Sequence, residues 1–69
     1  MKNPKKTFIA RLTALRRKQG LTQNALAKKA MNSREYVSRL EKGVQDPTLR
    51  TMTKLAKALK VGVTELLER

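Results

Sequence analysis

The stretch from Leu21 to Gly43, LTQNALAKKAMNSREYVSRLEKG, constrains this chain more than any other. It holds two short amphipathic segments, Gln23 to Ala30 and Arg34 to Lys42, each preceded by a hydroxyl residue able to cap a helix, Thr22 and Ser33. Helices that short are marginal in water alone, so each must draw its stability from packing. Between them lie only Met31, Asn32 and Ser33, too few for the chain to reverse fully. The two helices are therefore expected to cross steeply, as a helix-turn-helix.

Three further helical patterns surround this pair. The first runs from Phe8 to Gln19, with Thr7 as its expected cap and Gly20 as its stop. At about 100° per residue, Phe8, Ile9, Leu12 and Leu15 form one stripe, and Arg16 and Gln19 fall on it too. An arginine turned inward needs a partner, because an unpaired buried charge is costly. In the second helix Leu26 and Ala30 face inward, Ala27 allows close approach, and Lys28 and Lys29 point out. In the third, Val37 and Leu40 face inward, while Glu35, Ser38, Arg39 and Lys42 share an arc of roughly 100° on the other side, flanked by Arg34. Glu41 falls beside Val37 and Leu40, toward the core. Arg16 and Glu41 are thus two charges that their own helices turn inward, and we pair them; such a buried pair fixes geometry more than it adds stability.

Gly43 ends the third helix, and Val44 to Pro47 form a loop. Thr48 caps the fourth, in which Leu49, Met52, Leu55, Ala56 and Leu59 recur at helical spacing. Its outward positions, Arg50, Lys54, Lys57 and Lys60, are all basic. A last short helix over Thr64 to Glu68 bears Leu66 and Leu67, of which one closes the core. The other, with Val61 or Val63, lacks an internal partner, so Val61, Val63, Leu66 and Leu67 are the candidate interface with a second copy. Met1 to Lys6, MKNPKK, form a basic arm before a single domain over residues 7–69. Two readings of that arm stand side by side: a frayed terminus, and a basic extension that touches nucleic acid. The sum is an all-α domain of five helices.

Charge narrows the partner. Seventeen Lys and Arg against five Asp and Glu give a formal net charge of +12, which attracts polyanions. No apolar run approaches the roughly 20 residues of a membrane span, and there is no apolar core of a signal peptide. With one Phe and one Tyr, the chain also lacks the bulky aromatic face of a membrane-surface helix. Nucleic acid is the expected partner, and no membrane association is expected. The chain has no Cys and no His, so disulfides and the usual zinc sites are excluded, and a cytoplasmic setting is the default. Glu35 and Glu41 lie on opposed faces of one helix, so no acid/base pair forms locally, and we expect neither an enzyme nor a cofactor or metal.

The pattern resembles the Cro/C1-type (XRE, lambda-repressor-like) helix-turn-helix domains of phage repressors and small bacterial regulators. The resemblance rests on Leu21, Thr22, Gln23, Leu26, Ala27, Ala30, Ser33, Tyr36, Val37, Ser38, Arg39, Leu40, Glu41 and Gly43, then Pro47, Thr48 and Leu49, and continues through Leu55, Ala56, Leu59, Val61 and Leu66. It implies a compact five-helix domain whose third helix reads the major groove of double-stranded DNA. It also supports the Arg16–Glu41 pairing, and implies Gln23 on phosphate and the run from Ser33 to Arg39 as the reading surface.

In that pose Arg34 and Arg39 can each take a guanine, Glu35 can accept from a cytosine amino group or position a neighbouring Arg, and Ser33 or Ser38 can reach a base or phosphate. Gln23, Asn24, Tyr36, Lys42 and Arg50 are the candidates for phosphate. Tyr36 has an equal second reading as a ring packed on the second helix. One such domain reads few base pairs, so a homodimer on a palindromic operator is expected. A sequence-specific regulator, most simply a repressor, is the leading reading. A protein-interaction module, such as an antitoxin bound to its toxin or a bridging coactivator, is the rival. The chain departs from the family at the turn, where Met31 and Asn32 replace the usual Gly and apolar residue, and at Lys60, where a Gly often stops the helix. We expect Asn32 to take the left-handed conformation and Met31 to fill the apolar slot.

Overall fold

The computed structural model describes residues 4–67. Five helices follow in order: α1 (Pro4–Lys18), α2 (Gln23–Lys29), α3 (Arg34–Lys42), α4 (Leu49–Ala58) and α5 (Val63–Leu67). Among the described residues there is no strand.

Helix α1 begins before its expected start. Pro4 opens it, at a position where a missing N–H is no loss, so Thr7 lies within the helix instead of capping it. Residues Pro4 to Lys6 of the expected arm are therefore helical, and residues 1–3 lie outside the described ones. Helix α5 starts at Val63, one residue early; the expected end at Glu68 lies outside the described residues.

One core joins all five helices. Phe8 and Leu12 of α1 meet Leu26, Ala27 and Ala30 from α2 and its cap, Val37 and Leu40 of α3, Leu55, Ala56 and Leu59 from α4, and Leu66 of α5. Ile9, Leu15, Met52, Val61, Val63 and Leu67 are half-buried around it. Helix α1 packs on α3 and α5, α2 on α3 and α4, and α4 on α5. Leu49 is the exception to the α4 stripe: it is 66% exposed. It is the first residue of α4, and Ala56, on nearly the same side of the wheel two turns further on, is buried, so place along the helix and not direction keeps Leu49 out of the core.

Four helices end in the same way. The N–H groups of Leu21, Asn32, Val44 and Val61 donate to the carbonyls of Arg16, Ala27, Arg39 and Ala56, five residues back, at 3.0, 2.8, 3.1 and 3.0 Å. This Schellman pattern puts the residue before each donor in the left-handed region. Those residues are Gly20 (φ 71°), Met31 (φ 56°), Gly43 (φ 81°) and Lys60 (φ 62°). The expectation for the turn is thus reversed: Met31, not Asn32, is left-handed, and Met31 is 78% exposed and fills no apolar slot. The reason is positional. Ala30 is the last residue held by the α2 ladder, so the residue after it must turn, whatever its side chain.

Candidate nucleic-acid interface

The two central helices are started by their hydroxyl residues. Thr22 Oγ1 accepts from the Ala25 N–H at 3.0 Å, and Ser33 Oγ from the Tyr36 N–H at 3.1 Å. Each bond satisfies one free donor of a first turn and sets where the helix begins. The apolar faces of α2 and α3 then close on each other through Leu26, Ala27, Ala30, Val37 and Leu40.

An ion pair fixes the far end of α3. Arg16 Nε donates to Glu41 Oε2 at 2.7 Å and Arg16 Nη2 to Glu41 Oε1 at 3.0 Å, a forked arrangement with side chains 10% and 7% exposed. Arg16 Nη1 also donates to the Leu21 carbonyl at 2.8 Å, and Gln23 Nε2 donates to Glu41 Oε1 at 2.9 Å. One carboxylate thereby binds α1, α3 and the first turn of α2 into a single unit. No buried side-chain polar atom among the described residues lacks a partner.

With Val37, Leu40 and Glu41 turned inward, the rest of α3 faces water. Arg34, Glu35, Arg39 and Lys42 are exposed, and Ser38 is half-buried. Ser33 is exposed, and after accepting from the Tyr36 N–H its hydroxyl keeps its own hydrogen and one lone pair for a partner. Arg39 Nε makes only a long, exposed contact of 3.4 Å to Gln45 Oε1, which leaves the rest of its guanidinium available. Asn24 and Arg50 are exposed at the starts of α2 and α4. Tyr36 is half-buried with its ring against the core cluster.

Two candidates are placed otherwise than a simple reading assigns. Gln23 is half-buried and gives an amide hydrogen to Glu41, so a single amide hydrogen is left to point outward. Leu66 is fully buried, as the leucine that closes the core, and is removed from the candidate dimer interface. Val61, Val63 and Leu67, half-buried, keep an outer surface.

Sequence reasoning missed three tethers. Gln19 Nε2 donates to the Leu59 carbonyl at 2.8 Å, Arg11 Nη1 to the Glu65 carbonyl at 2.8 Å, and Gln45 meets Arg39. The inward position of Gln19 was a signal for the first. The others join a half-buried to an exposed residue across a loop or a long sequence gap, which helical periodicity does not register.

Comparison with known proteins fits this geometry. A family model described as helix-turn-helix matches residues 12–66. The uncharacterized HTH-type transcriptional regulator y4dJ of Sinorhizobium fredii is 44% identical over 52 residues, 75% of this chain and 68% of that protein. Among solved structures, the restriction-modification controller protein C.AhdI from Aeromonas hydrophila is 38% identical with a TM-score of 0.84, over 87% of this chain and 91% of its own. The clp gene regulator ClgR from Corynebacterium glutamicum is 26% identical with a TM-score of 0.88, over 96% and 70% of the two chains. Regulators of this family are not enzymes. Among the described residues no helix is long and apolar enough to cross a membrane. A packed pair of short capped helices with a buried inner face and an exposed polar outer face, matched over residues 12–66, makes this chain a member of the Cro/C1-type helix-turn-helix family of transcriptional regulators.

Proposed function

We propose that the chain binds double-stranded DNA sequence-specifically, as a homodimer on a palindromic operator, and represses transcription by occupying it. The observation that carries this reading is the outer face of α3, where Arg34, Glu35 and Arg39 stand exposed while the inner face is locked by Val37, Leu40 and Glu41. Lying in the major groove, α3 would set Arg34 and Arg39 on guanine O6 and N7, and Glu35 on a cytosine amino group. Ser33 and Ser38 would reach bases or phosphates beside them. Helix α2 would cross the backbone, with Asn24 and the remaining amide hydrogen of Gln23 on phosphate. Lys42, Arg50 and the Tyr36 hydroxyl would hold phosphates on either side.

The net charge of +12 supplies the long-range attraction, so affinity falls steeply as salt rises. Val61, Val63 and Leu67 form the apolar edge that would meet the second copy, without Leu66. A protein-only module would have no use for two arginines at base-reading positions of a rigid helix, which favours DNA over that rival. Such a regulator works where the DNA is, in the cytoplasm.

Selection of bound sites from a random duplex pool tests the reading. The expected outcome is a palindrome whose half-sites lie one helical turn, about 34 Å, apart. Recovery of no motif would overturn it.

A further inference from the structure

On α2, the end away from Gln23 and Asn24 borders a groove against α4, lined by Lys29, Ala30, Met31, Lys54, Lys57 and Ala58. We infer that this groove docks an acidic protein segment that inserts an apolar side chain beside Met31.

Three observations carry it. Every ionisable residue of the lining is a lysine, so an acidic occupant is the complementary one. Between those lysines lies apolar surface from Ala58 and the Met31 thioether, over the buried Ala30, and Met31 is 78% exposed. A flexible, polarisable methionine adapts to an incoming apolar group, and it offers nothing to a phosphate backbone. Met31 is also held at φ 56°, where glycine would sit without strain, so the turn alone does not account for a side chain there.

A symmetric contact of two copies through this groove does not fit, because it would set lysines against lysines. DNA fits less well than protein. The seven residues of α2 put the groove about 10 Å along the helix from Gln23 and Asn24, and although Arg50 lies about one turn before Lys54 on α4, Met31 gives a phosphate nothing to hold. The choice of protein over DNA as occupant rests on the proposed DNA-binding face, whereas the peptide arms of the test do not.

The test uses the whole chain and a fluorescein-labelled synthetic peptide carrying two leucines one helical turn apart among Glu and Asp residues. A control peptide has both leucines replaced by serine. The expected result is binding of the leucine peptide with a shift of the Met31 methyl resonance, and binding of the serine peptide weaker by about tenfold or more. Met31→Gly removes the thioether where the backbone suits glycine, so it should keep its fold by circular dichroism and lose affinity by about tenfold. The double variant Lys54→Gln with Lys57→Gln should lose at least as much, while its affinity for duplex DNA should fall less than that of Arg34→Ala. No binding by the wild-type chain, equal binding of the two peptides, or full affinity in Met31→Gly would each overturn the inference. So would a loss of duplex binding in the lysine variant as large as in Arg34→Ala, which would give the groove to the DNA backbone.

Discussion

The two faces of α3 carry residues of similar chemistry put to opposite uses. On the inner face, Glu41 is 7% exposed in its side chain, takes two hydrogen bonds from Arg16 and one from Gln23, and leaves no lone charge behind. On the outer face, Glu35 and Arg34 are exposed in the first turn, and Arg39, also exposed, donates from Nε to Gln45 Oε1 over a long 3.4 Å. The contrast shows that charge alone does not mark a reading residue. A charge satisfied inside the domain is committed to shape, and a charge left over at the surface is available to a partner. Substitutions on the two faces should therefore fail in different assays.

The largest effect is expected inside. Glu41→Ala strands the Arg16 guanidinium and removes the acceptor of Gln23, and breaking a buried pair in this way costs about 3–5 kcal/mol. That is comparable with the whole stability of a domain this size. Thermal unfolding should show a large drop in midpoint, and a midpoint near wild type would mean that the inner face does not hold α3. Next comes the outer face. Arg34→Ala should leave the unfolding midpoint unchanged and weaken binding to a selected operator by about 1–3 kcal/mol, read by fluorescence anisotropy. A comparable loss of stability would break the division between the faces.

A smaller effect sharpens it from another side. Met31 and Lys60 occupy left-handed positions that glycine fills at the ends of α1 and α3, and that conformation costs a non-glycine residue about 1–2 kcal/mol. Met31→Gly and Lys60→Gly should each raise stability by about 1 kcal/mol, less whatever glycine adds to the freedom of the unfolded chain. Urea denaturation checks this, and a loss in both variants would contradict the strain. The smallest effect belongs to Lys42, exposed at the last turn of α3. Its change to alanine should lower the slope of log affinity against log salt by about 1, with little change in base preference.

Much of this was legible in the residues. Periodicity placed Leu12, Leu26, Val37, Leu40, Leu55 and Leu59 in the core, and two helical wheels turned Arg16 and Glu41 toward each other. The caps at Thr22, Ser33 and Thr48 were legible because a hydroxyl before a periodic run has a specific local use. Legibility failed where a tertiary or positional demand overrode local preference. Asn32 is the better left-handed residue, yet the end of the α2 hydrogen-bond ladder assigns that conformation to Met31. Thr7 is a good cap, yet the helix continues back to Pro4. Gln23 looks like a phosphate ligand by its place at a helix start, and only the crossing of α2 over α3 shows that Glu41 takes one of its amide hydrogens. The exposed face of α3 was legible as a surface, but a wheel gives direction and not partners, so the contact of Arg39 with Gln45 had no signal.

The central claim is that the outer face of α3 reads bases while its flanks hold the backbone. The most direct measurement is the ratio of affinities for the selected operator and for a random duplex, taken for the wild type, Arg39→Ala and Lys42→Ala at one salt concentration. The expected result is a ratio that falls by about tenfold or more in Arg39→Ala, with preference relaxed at one half-site position, and stays near wild type in Lys42→Ala. Equal losses on both duplexes for both variants would contradict the claim.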